Sequence, residues 1–214
     1  MDRSSDGSYR NDYCSVLAPE RRNILDSIFR PLPTSGLEAT LEVPQNPAGD
    51  FVEEKPDAGR RGELILEIER APALLRQAVS GLPAAQLDTK YRNWTIRQIV
   101  HHIPDSHVNS YIRFKWALTE ETPTIKAYDE SRWAMLDDAR IGAIAPALAM
   151  LEGLHSQWVQ LLRTMTEPQF ARAFVHPENG QTITLNSALA YYAWHGRHHT
   201  AQITWLREQH GWKE

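Results

Sequence analysis

The sequence predicts an all-α fold, a four-helix bundle with a small β-hairpin before its last helix. Four stretches of roughly 20 residues carry apolar side chains at helical spacing, enough for a bundle of that size. Between the third and fourth, Asn179-Gly180 separates two short β-prone segments, the best local hairpin signal available. Little else reads as strand. A chain of 214 residues, 42% hydrophobic and with seven tryptophans, suffices for one domain with a sizeable core.

Residues 1–40 differ in character and read as a partly irregular N-terminal extension. They mix Ser, Asp, Asn and Arg around one apolar run, Ile24-Leu25-Asp26-Ser27-Ile28-Phe29. Residues 41–214 form the bundle domain, opened by a proline-rich lead-in to about residue 58. The first helix runs from about Arg60 to Val79, with Leu64, Ile68, Ala71, Leu75 and Val79 on one face. Pro72 should kink it or mark a new first turn, and Gly81 ends it.

Thr95 with Gln98 spells a capping box, so the second helix starts there and continues to about Thr119. Pro104 lies inside it and removes one hydrogen bond, to the carbonyl of Val100, which should bend the axis beside His102. The third helix spans about Ile144 to Met165, with Leu148, Leu151, Leu154, Trp158 and Leu162 inward. The last runs from about Asn186 to Gln209, with Gly211 at its stop position.

A net charge of −4 with no Lys/Arg run argues against nucleic acid as a partner. No apolar stretch reaches the length of a membrane span, and the N-terminus has no secretory pattern, so the expected setting is the cytoplasm. Cys14 is the only cysteine, which excludes a disulfide framework or thiolate cluster. A metal would be held by histidine and oxygen.

The histidines supply the candidate chemistry. His195 and His199, four residues apart on the last helix, project from one face, the spacing at which a helix offers two nitrogens to one divalent ion. Such pairs also occur on solvated surfaces, but Tyr191, Tyr192, Trp194 and Ile203 imply burial here. His198 lies one step round, toward solvent or a group behind the ligands. On the second helix His102 shares a stripe with Asp105, Ser106 and Asn109; taken alone, the stripe reads as the solvent side or as a lined cavity. His101 and His107 do not share that face closely. His155 reads as a packed or hydrogen-bonding residue, His176 as structural and His210 as surface. There is no H-E-x-x-H, P-loop, dinucleotide fingerprint or nucleophile elbow.

The stretches Trp94-Thr95-Ile96-Arg97-Gln98-Ile99-Val100-His101-His102, Asp105 to Lys115, Leu118 to Glu121, Tyr128-Asp129-Glu130, Leu151 to His155 and Tyr192 to His199 resemble the DinB-like superfamily, most closely its YfiT branch of metal-dependent hydrolases. The resemblance covers residues from about 42 to 212. It implies a four-helix bundle with metal ligands His102, His195 and His199, a single divalent ion per chain (zinc first, nickel next) and a homodimer. Pro104 stands where the branch is expected to have alanine.

Three neutral imidazoles leave a coordination position open for water or a small-molecule substrate, as catalytic rather than structural sites do. Lowering the pKa of a water there toward about 7 points to hydrolysis. Asp105 is then the candidate catalytic base or orienting group, with Ser106, Asn109 and Tyr192 as substrate-binding candidates. Two alternatives remain open: a metal-dependent thiol S-transferase of the bacillithiol, mycothiol or glutathione type, and a non-catalytic metal-dependent small-molecule binding protein.

Overall fold

The computed structural model describes residues 42–213. The N-terminal extension, with the apolar run at residues 24–29, lies outside the described residues.

Four long helices form the body: α1 (Ala58–Ala78), α3 (Ile96–Thr119), α6 (Ile144–Thr164) and α8 (Leu185–His210). Short helices α2 (Ala84–Leu87), α4 (Glu130–Trp133), α5 (Asp137–Ile141) and α7 (Glu167–Phe170) lie in the connections. Two antiparallel hairpins each precede a long helix: β1 (Lys90–Tyr91) with β2 (Trp94–Thr95), and β3 (Ala173–Val175) with β4 (Thr182–Thr184). The second is the one the Asn-Gly pair predicts. The first, turned through Arg92 at φ 52°, has no strong signal in a six-residue span.

Local chemistry sets the boundaries. Thr95 caps α3 by accepting from the Gln98 amide at 3.2 Å, while the Gln98 side chain accepts from the Thr95 amide at 3.0 Å. The same Gln98 amide group donates to the carbonyl of Ala134, fastening the helix start to the segment after α4. Thr184 caps α8 in like manner, and Gly211 closes it in the left-handed conformation at φ 63°. Both α1 and α3 continue across their prolines, Pro72 and Pro104, each buried.

The packing order is not the chain order. Helix α1 packs against α8 and α6, and α3 packs against the same two, so the first and second long helices occupy opposite corners. Two apolar clusters fill the bundle. One holds Leu64, Ile68, Phe114, Trp158 and Leu189, the other Leu75, Ile99, Val100, Leu151 and Ile203. Burying each such side chain contributes about 1.5–3 kcal/mol. His107 on α3, His155 on α6 and His195 to His199 on α8 fall between these two clusters. Among the described residues, no helix is long and apolar enough to cross a membrane.

Thr95→Ala removes the side-chain half of the capping box without touching the core. It should lower unfolding free energy by about 1 kcal/mol, read from the shift of a urea midpoint at unchanged slope.

Candidate metal centre

His102 comes from α3, and His195 and His199 from two successive turns of α8. All three are buried, and one nitrogen of each lies within 4.8 Å of the others. His102 Nε2 and His195 Nε2 stand 3.2 Å apart. Trp94, at the end of the first hairpin, closes one side, its ring 4.5 Å from that of His102 and stacked at 6.2 Å on His199.

The hydrogen bonds behind the rings decide which nitrogens face inward. His199 Nδ1 sits 2.8 Å from Gln202 Oε1, an acceptor only, so Nδ1 carries the proton and donates. Its Nε2 then keeps a lone pair. The amide of the same Gln202 donates to His198 Nε2 at 2.9 Å. His198 is therefore a buried residue behind the ligand face, stacked on Trp194, and not a solvated one.

His195 is set from further away. The carbonyl of Ile68 on α1 can only accept, and His155 Nδ1 lies 2.6 Å from it, so the proton is on Nδ1. Neutral His155 accepts at Nε2 from His107 Nδ1, 2.8 Å away. Neutral His107 in turn accepts at Nε2 from His195 Nδ1, at 3.1 Å. One carbonyl thus fixes three tautomers in series and leaves the His195 Nε2 lone pair directed toward His102. Burial, reinforced by the neighbouring histidines, holds His107 and His195 well below their ordinary pKa, so the neutral forms this series requires prevail. A neutral imidazole is the form that ligates.

His107 is the residue that spacing did not find. It lies five positions after His102 and belongs behind His195, a place visible only once α3 and α8 are docked. His155 does make a hydrogen bond, His176 is buried, and His210 is exposed against Trp212.

The other candidates divide. Ser106 hydrogen-bonds Tyr128, and Tyr192 OH accepts from Arg113 at 3.4 Å, placing both in a polar region adjoining the histidines. Tyr192 stands edge-on to His107 at 5.2 Å. Asn109 spends its Nδ2 on the carbonyl of Asp105. Asp105 is half-buried on α3; burial first, then the charge of Asp138, pushes its carboxyl up to about 6.

Buried imidazoles converging between two helices of a bundle define a class of protein in which the helices themselves furnish the centre. The DinB superfamily model matches residues 67–203, and the chain belongs to that superfamily. It is 50% identical over 155 residues to YfiT of Bacillus subtilis (strain 168), spanning 72% of this chain and 87% of that protein. It is 51% identical over 150 residues to a Bacillus mycoides (strain KBAB4) protein, spanning 69% of this chain and 86% of that one. Both relatives bear names that propose metal-dependent hydrolases. The solved structure of B. subtilis YfiT, described as having an unusual four-helix bundle topology, matches with a TM-score of 0.76 and 46% identity, covering 78% of this chain and 98% of that one.

Burial pushes His155 down to about 4 from the ordinary 6.5, the Ile68 carbonyl opposing the shift. A depressed histidine pKa means the unfolded chain binds the proton more readily. The associated stability is complete above about pH 6.5 and is lost as pH falls toward 4. With chelator present, denaturant unfolding at pH 7 and pH 5 should differ by about 2 kcal/mol from this group, and His155→Gln should shrink the difference by that amount.

Proposed function

We propose that this chain is a metal-dependent hydrolase whose divalent ion is held by His102, His195 and His199. The observation that carries the reading is the convergence of three buried imidazole nitrogens, two of them with tautomers fixed by the hydrogen bonds behind them. The donor set fits such an ion, and the hydrolase names of relatives at about half identity agree with it. Imidazole ligands suit several divalent metals, and the family resemblance puts zinc first and nickel next. When bound, the ion supplies Lewis acidity, the means of activating water and polarising an amide, ester or related bond near neutral pH.

The chain's own residues supply the rest. Asp105, three positions after His102, handles the proton; a carboxyl pushed up to about 6 lies in the range where a general acid–base works. Ser106 and Tyr192 contribute hydroxyls to the substrate, and Asn109 its amide oxygen. Trp94 keeps bulk water from one side of the ligand rings. The protein works on this reading as a homodimer, supported by Ile112, Trp116, Met135 and Ile141, each at least 37% exposed on α3, α5 and the turn between α4 and α5. Sedimentation should then return twice the 24.5 kDa chain mass.

Metal analysis of protein purified without chelator or histidine tag should give one ion per chain, and none after His102→Ala, His195→Ala or His199→Ala. Retention at full stoichiometry in all three refutes the site. Thiol conjugation in place of ester or amide turnover would replace hydrolysis with S-transfer.

His107→Phe removes the acceptor behind His195 and should weaken metal binding about 10–100-fold in a competition assay. His107→Gln, whose amide can both accept and donate, should retain most of it.

A further inference from the structure

Arg113, on α3 about two turns beyond Ser106, is 3% exposed, yet among the described residues its Nε and Nη2 have no hydrogen-bond partner. Its Nη1 reaches Tyr192 OH at 3.4 Å, a long contact to a neutral group. Among the described residues no carboxylate pairs with it within 4.0 Å. A guanidinium cannot shed its proton to escape burial, so its free edge requires acceptors, best supplied by an anion; the buried Arg207 meets the same need with three backbone carbonyls. Nε and Nη2 lie along one edge of the guanidinium, and that edge grips two oxygens of a carboxylate side-on. In this chain Arg60 holds Glu54 with the same two atoms, at 3.1 and 3.0 Å. A further buried donor without an acceptor, Trp158 Nε1, belongs to the ring that packs on Tyr192 at 5.8 Å.

The geometry points to a carboxylate-binding subsite on the Nε/Nη2 edge of Arg113, the edge left free while Nη1 contacts Tyr192. Tyr192 links that edge to His107 and His195, so the substrate is a small molecule whose free carboxylate lies beside the bond presented to the metal centre. The role as substrate anchor rests on the hydrolase reading above; the subsite itself does not. A single negative charge matches a single guanidinium. A phosphate dianion would crowd further negative charge beside Glu130, which is buried close enough to act on the neighbouring Tyr128.

The test uses full-length, metal-free protein titrated with acetate, benzoate and N-acetylglycine, and separately with inorganic phosphate, following the Arg113 Nε–H resonance by NMR. Carboxylates should shift it saturably, and phosphate should bind at least tenfold more weakly. Arg113→Met should weaken carboxylate binding at least tenfold, and Arg113→Lys, which keeps the charge but loses the fork, severalfold. Should Arg113→Met fail to fold, the wild-type titration decides alone. No saturable shift with any carboxylate, tighter binding of phosphate, or undiminished binding to folded Arg113→Met overturns the subsite. Carboxylate binding at Arg113 in a chain that takes up no metal would refute the hydrolase reading and leave the subsite standing.

Discussion

A buried imidazole has two nitrogens to satisfy, and only one can be a donor while the ring is neutral. That requirement organises the middle of this bundle. Six histidines, His102, His107, His155, His195, His198 and His199, are each under a tenth exposed. Leaving such groups unpaired would cost more than a domain of this size can spare. The chain meets the requirement by ending each hydrogen-bonded series on an atom with a fixed role, the Ile68 carbonyl in one and the Gln202 amide in the other. The Ile68 carbonyl can only accept, so it assigns His155, His107 and His195 in series, and the Gln202 amide assigns His199 and His198 together.

The two apolar clusters on either side explain why this layer stays ordered. Each cluster draws on all four long helices, so the polar layer is clamped above and below by packed side chains. Low dielectric strengthens hydrogen bonds there and keeps the rings neutral. The same environment makes an unpaired donor conspicuous, which is why Arg113 stands apart from the other buried arginines among the described residues. Arg61 and Arg97 are also buried, but each reaches a carboxylate, and the buried Arg207 spends its guanidinium on the carbonyls of Ala78, Ser80 and Lys213.

Much of the fold is legible in the sequence because its signals are local. The Thr95/Gln98 box sets the start of α3, Gly211 the end of α8, and the spacing from Leu64 to Val79 the inner face of α1. The His195/His199 pair is legible for the same reason, being one turn of one helix. His107 is not, since five residues carry it about 140° around α3 from His102. Its partners on α6 and α8 are 48 and 88 residues away. Trp94 enters the sequence reading only as part of the stretch that resembles the family, and only the docked helices set its ring against His102. The packing order, with the first two long helices on opposite corners, left no trace in apolar spacing, which says which face is buried and not against what.

The path from His195 to His107, His155 and Ile68 visits α8, α3, α6 and α1 in turn, one step to each neighbour around the ring of helices. The last contact is with the backbone of the first helix made, and the first with the last. No subset of the four long helices can therefore complete the series. The tautomer of His195 on the last helix is thus tied to the seating of the first, and all four long helices must be in place for the series to hold.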